Sequence, residues 1–255
     1  MRGLLVILCL ALLTLPAAAE GVIGGVGLTH LTVYEQRPAP DGLNSGCPHV
    51  HAVTDEAYYV ISGSGRVELH DLKHGMKTVE LKQGQYLQFP PGALHRIISV
   101  DHLTILAVMG NAGLAEAGDA RIYFGKKVDE DPAEFARLAG LAKAKGLEGA
   151  LDRRDAAVKA YQGLLELWKG DRKAYFAELR RFINAHLAAV QKRREQFASA
   201  VADGPLAWGK RSERRLAELP SLDQDLEPRF HDAESDFAYG MCGILRPVTT
   251  LQPIK

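Results

Sequence analysis

Two histidines at alternate positions, His49 and His51 in "GCPHVHAVTDE", are followed by Glu56, and a third, His95, ends the segment "GQYLQFPPGALH". Residues two apart on an extended strand project from the same face, so His49 and His51 present two imidazoles side by side. Glu56 follows a turn through Thr54 and Asp55 and can return beside them. His95 opens a strand after a tight turn shaped by Pro90 and Gly92, and can point into the same interior. Imidazoles with a carboxylate suit a divalent Fe, Mn, Co, Ni, Cu or Zn ion. Such a site needs strands that close on one another.

The surrounding pattern supplies them. Between Thr29 and Met109 the runs "LTVYE", "AYYVIS", "RVELH", "TVEL", "YLQF", "HRIISV" and "LTILAVM" are short, β-branched or aromatic and of period two. Glycine-rich or charged breaks separate them, as in an all-β sandwich or barrel. "SGSG" at 62–65 and "KHGMK" at 73–77 read as hairpin turns. The periodicity then becomes helical. Asp131, Pro132 and Glu134 form a capping box, and further helix starts are expected at Asp152 and Asp171. Val158, Tyr161, Leu165 and Trp168 make one apolar stripe, and Phe176, Leu179, Ile183, Leu187 and Val190 another, with helix continuing to about Ala202. The final "YGMCGILRPVTTLQPIK" reads as a strand packing back on the body.

Residues 46–63 resemble the first cupin motif, G-x5-H-x-H-x4-E-x6-G, through His49, His51, Glu56 and Gly63. Gly46 stands closer to the first histidine than that pattern asks. Residues 84–95 resemble the second motif, G-x5-P-x-G-x2-H, at Gly84, Pro90, Gly92 and His95, with Ser99 where the usual asparagine would follow. The resemblance covers about residues 25–112 and implies an all-β double-stranded jelly-roll barrel followed by an α-helical region. It implies one divalent transition metal ion held by His49, His51, Glu56 and His95, with Glu56 able to serve as base as well as ligand. The resulting division is a leader at 1–19, a barrel domain at 20–125, a helical region at 131–220 and a tail at 221–255. A homodimer is an expectation from the resemblance alone.

The leader places Arg2 before the apolar run Gly3–Leu15, then Pro16 and Ala17 to Ala19, which is the pattern of a secretory signal peptide cut before Glu20. The apolar run is shorter than the roughly 20 residues of a membrane span, so no stable span is expected after cleavage. A periplasmic or secreted, and so oxidising, destination permits a disulfide between Cys47 and Cys242. The alternatives are buried thiols or thiols near the metal. The 31 basic and 31 acidic residues balance, leaving no overall electrostatic footprint for nucleic acid. The basic excess from 143 to 215 and the acidic run from 223 to 236 read as solvated faces.

The function expected is a secreted metal-dependent oxidoreductase of dioxygenase type acting on a small oxygenated molecule. Tyr58, Tyr59, Tyr86 and Phe89 are candidates to line its mouth. The other reading is a non-catalytic cupin that binds or senses a carboxylate or sugar, with the helices as its partner-binding surface.

Overall fold

The computed structural model describes residues 21–219, 228–233, 237–248 and 251–253. The leader at 1–19 and part of the acidic run between 223 and 236 lie outside the described residues. The strands of the barrel half are β1 (Gly27–Val33), β2 (Asn44–Ser45), β3 (His49–His51), β4 (Glu56–Asp71), β5 (Gly75–Lys82), β6 (Tyr86–Phe89), β7 (Leu94–Met109) and β8 (Ala120–Ile122). The helices are α1 (Lys126–Asp129), α2 (Pro132–Ala139), α3 (Leu141–Gly170), α4 (Arg172–Gln191), α5 (Arg194–Val201) and α6 (Ala207–Ala217). Short strands β9 (Arg229–Phe230), β10 (Ala238–Tyr239), β11 (Gly243–Val248) and β12 (Gln252–Pro253) follow. No helix among the described residues is long and apolar enough to cross a membrane.

Ten of the strands form one antiparallel sheet, rolled into the jelly-roll barrel, with the helices following it in the chain. β7 is its hub, pairing with β1, β2, β3 and β4. Its β-branched stretch buries Leu94, Ile97, Ile98, Leu103 and Ile105. Inside the barrel Ile97, Leu103 and Ile105 meet Leu31, Val33, Tyr58, Val60, Val67 and Phe89. β11 joins the sheet antiparallel to β1, from Leu28 opposite Val248 to Val33 opposite Gly243, as the apolar tail of the sequence predicts.

"SGSG" does not turn the chain. It lies within β4 as a run of register shifts between Val60 and Gly65. Gly63 adopts φ +75°, and a Cβ there would stand 2.1 Å from the carbonyl oxygen of Asp101. Bulges bend a strand without ending its pairing, so β4 curves round the barrel where a hairpin was expected. The expected turn at 73–77 does occur, between β4 and β5, with Asp71 accepting from the backbone N–H groups of Lys73 and His74.

Asp131 caps α2 by accepting from the N–H groups of Ala133 and Glu134, with Pro132 in the first turn. Glu134 does not complete a capping box; its carboxylate pairs with Arg137. Asp171 caps α4 through the N–H of Ala174 at 2.9 Å. The start expected at Asp152 is absent, because α3 already runs from Leu141, with a kink at Gly146. Asp152 is used otherwise, as one of three acids that hold Arg37 against α3, at 3.1 Å. Helix also continues beyond Ala202, through α6 to Ala217.

Tyr161 and Leu164 of α3 and Tyr175, Leu179, Phe182 and Ile183 of α4 pack on Val50, Leu94 and Tyr123 of the barrel. Leu187, placed on the stripe by spacing, is 45% exposed. Within this contact sits a polar chain. Tyr161 donates to Glu68 at 3.0 Å, so it accepts from His70 Nε2 at 2.5 Å, and His70 Nδ1 in turn accepts from the Tyr175 hydroxyl at 2.8 Å. The chain is satisfied with His70 neutral. Burial holds His70 down to a pKa of about 3.

Candidate metal centre

His49 and His95 are direct cross-strand partners of β3 and β7. That register brings their Nε2 atoms to 3.0 Å. Glu56 opens β4, and its Oε2 lies 3.1 Å from His95 Nε2 and 3.3 Å from His51 Nε2. All four predicted residues are buried and converge.

The far side of each ring fixes what the near side can do. His49 Nδ1 contacts the carbonyl of Cys47 and His95 Nδ1 that of Ala93, each at 3.0 Å. A carbonyl only accepts, so both Nδ1 atoms carry protons and both Nε2 atoms offer lone pairs to the same space. At most one proton can lie between them. Oε2 of Glu56 is buried and accepts no hydrogen bond despite its two close nitrogens. Electron pairs facing one another in a buried space are unsatisfied as a hydrogen-bond network. They fit a cation, since donors about 2.0–2.2 Å from one ion lie about 3 Å from each other.

The electrostatics of His49 and Glu56 agree, whereas His51 is held in its charged form. Burial, with the neighbouring imidazoles adding to it, lowers His49 well below the usual histidine range and leaves it neutral, as a ligand must be. Burial opposes the charge on Glu56, but His95 and His51 outweigh it and hold the carboxyl well below its usual range. Burial also opposes charge on His51, yet the carboxylates of Asp119 and Glu56 beside it raise it to about 9.

Asp119 was not legible as a site residue. Its Oδ2 takes His51 Nδ1 at 3.0 Å, and its Oδ1 accepts from the N–H groups of Ala52 and Val53 at 3.0 and 2.7 Å. Its carbonyl receives His186 Nε2 of α4 at 2.5 Å. A carboxylate behind a histidine fixes ring orientation and basicity, the usual support of a metal ligand.

Cys242 was legible as half of a possible disulfide or, in the alternative, as a buried thiol or one near the metal. Cys47 and Cys242 are both free, buried thiols in the structure, the alternative to the possible disulfide. Cys47 packs with Ile122, Phe124, Leu138 and Ala157. Cys242 Sγ instead faces His49 Nε2 at 3.8 Å and the Tyr58 hydroxyl at 3.9 Å. His49, Glu56, His95 and Cys242 each offer a donor atom, and these atoms all lie within 4.8 Å of one another. His51 falls outside that set while remaining in contact with Glu56.

A cavity of about 90 Å³ opens beside these groups, walled by Thr29, Leu31, Ala107, Met109, Met241 and Leu245. None of the four candidate aromatics lines it. Tyr59 and Tyr86, paired across β4 and β6, are 45% and 60% exposed on the outside of the barrel, whereas Tyr58 and Phe89 are core. Phe89 still supports the site from behind, its ring 4.7 Å from that of His95.

The family model described as Cupin domain matches residues 35–109. No curated protein matches the chain. A cupin protein from Bacteroides fragilis is 25% identical, with 34% of this chain and 65% of that one covered and a TM-score of 0.24. Oxalate decarboxylase from Bacillus subtilis is 20% identical over 48% of this chain and 30% of its own, with a TM-score of 0.34. The capsular polysaccharide assembling protein CapF from Staphylococcus aureus is 14% identical over 41% and 29%, with a TM-score of 0.30. The chain thus spans less than two thirds of each of these proteins. The matched segment contains both halves of the histidine and glutamate cluster, so residues 35–109, which carry the site, are similar to a cupin domain.

Proposed function

We propose that this protein is an exported metal-dependent oxidoreductase of dioxygenase type, acting on a small oxygenated molecule. The observation that carries the metal reading is the convergence of two imidazole lone pairs on a buried carboxylate oxygen that accepts no hydrogen bond. A divalent ion held by His49, His95 and Glu56, with His51 beside them, would supply Lewis acidity and a meeting place for dioxygen and a substrate oxygen. The leader at 1–19 supports export to the periplasm or beyond.

The chain's own residues have separable tasks. His49 and His95 bind through Nε2, and the carbonyls of Cys47 and Ala93 hold their rings in that tautomer. Asp119 orients His51. Glu56 Oε2, between the His51 and His95 nitrogens, would be a donor to the ion, and a carboxylate released from the ion would be able to take a substrate proton. Leu31, Ala107, Met109 and Leu245 keep bulk water out. The cavity of about 90 Å³ beside these groups is where a small substrate would enter.

The test is elemental analysis of the leader-free protein beside a His49→Ala, His95→Ala variant, followed by oxygen-uptake assays on small enolic, phenolic and carboxylate compounds. Near-stoichiometric metal that the variant lacks, together with uptake, supports the proposal. Metal and ligand capture without turnover leaves the binding cupin, and no metal after reconstitution overturns the proposal.

A further inference from the structure

We propose that Cys242 is a thiolate ligand of this centre, so that the segment after the helices completes a mixed nitrogen, oxygen and sulfur donor set. The inference rests on the metal reading above and adds to it the class of metal. It comes from a residue far outside the matched segment 35–109.

Three observations bear on it. The first is position. Sγ of Cys242 is buried and stands with His49 Nε2, His95 Nε2 and a Glu56 oxygen in a group whose atoms all lie within 4.8 Å. Its 3.8 Å from His49 Nε2 is the spacing of a sulfur and a nitrogen on one ion, with bonds of about 2.3 and 2.0–2.1 Å.

The second is the unsatisfied Oε2 of Glu56 in the same group. It points to a cation at this spot independently of the cysteine.

The third is that the backbone carrying Cys242 is held from three directions. The Cys47 N–H donates to the Met241 carbonyl at 2.7 Å. The Tyr34 hydroxyl donates to the Gly240 carbonyl at 2.8 Å. Arg153 of α3 donates to the carbonyls of Tyr239 and Gly240 at 3.2 and 2.5 Å. Gly240 N–H to Gly243 carbonyl, at 2.9 Å, closes the turn around Met241 and Cys242. A ligand fixed before the metal arrives loses little freedom on binding it. The helical half thus has a task at the site, because Arg153 fixes the turn that presents the thiol.

On binding, the S–H bond breaks, the sulfur–metal bond forms and the proton leaves to solvent. Thiolate in the donor set favours zinc, cobalt, nickel, copper or iron over manganese and magnesium.

The experiment loads the leader-free protein with Co(II) and records its absorption beside Cys242→Ser and Cys47→Ser variants, with circular dichroism to verify folding. The wild type and Cys47→Ser are expected to show a near-ultraviolet thiolate-to-cobalt charge-transfer band along with the visible cobalt bands. Folded Cys242→Ser should keep the visible bands, lose the charge-transfer band and bind cobalt at least about tenfold more weakly. Zinc-over-manganese preference, measured by competition, should shrink in the same variant. Visible cobalt bands with no charge-transfer band in the wild type overturn the ligand role and leave the metal reading intact. Absence of cobalt binding in the wild type overturns both. Should Cys242→Ser not fold, Cys242→Ala is read in the same way, and the wild-type band decides by itself.

Discussion

Gly46 lies so close to Cys242 that a Cβ on Gly46 would stand 2.6 Å from the Cys242 Cα, and 2.9 Å from the carbonyl oxygens of Met241 and Cys242. The approach is backbone on backbone, so no flexible side chain can yield. Gly46→Ala is therefore expected to push the C-terminal turn off the barrel and to cost about 1–3 kcal/mol, as overpacking does. Thermal melts should show the loss, and limited proteolysis should cut earlier between β10 and β11. An unchanged melting temperature and cleavage pattern would show that the turn is not held against the barrel as described.

Asp119→Asn tests the support behind His51. An asparagine can still accept from the N–H groups of Ala52 and Val53, but it no longer offers a charged partner to His51 Nδ1. Metal affinity is expected to fall by about 10- to 100-fold, the range for a lost carboxylate behind a ligating histidine. Chelator competition measures it. Equal affinity in the two proteins would remove His51 and Asp119 from the metal's support.

His70 gives the fold a dependence on pH that does not involve the site. Its pKa is lowered by burial from 6.5 to about 3 in the folded chain. The unfolded chain therefore binds the extra proton in that window, and stability is full above about pH 6.5 and falls as the pH drops toward 3. At 1.36 kcal/mol per unit the loss is on the order of 4 kcal/mol. His70→Gln keeps a donor for Tyr161 and an acceptor for Tyr175 but does not titrate. Urea unfolding from pH 7 to 4 should show a shallower decline in the variant than in the wild type. Parallel profiles would mean that His70 is not neutral and buried in this way.

The ligands legible in the sequence were those whose placement depends on local geometry. The alternation of His49 and His51 and the turn before His95 are short-range facts, and the period of two at the strands marked the barrel that unites them. The same local reasoning erred where pairing over distance decided. "SGSG" has a turn's composition, but β4 and β7 pair along its length and absorb it as bulges. Asp152 is a good cap residue, but the helix that resumes after the kink at Gly146 has already begun before it and leaves no free N–H groups there to cap. Tyr59 and Tyr86 fit a mouth by type, yet the pleat turns them outward.

What the sequence by itself determined is a β sandwich or barrel with His49, His51, Glu56 and His95 placed to converge, because period and turn chemistry act within a few residues; the jelly roll followed from the resemblance of its two motifs to the cupin pattern. What only the tertiary structure decided is the rest of the site. Asp119 reaches His51 across 68 positions and Cys242 reaches His49 across 193. Contacts over such distances leave no spacing in the chain; they arise from how β11 pairs with β1 and how α3 grips the turn before it.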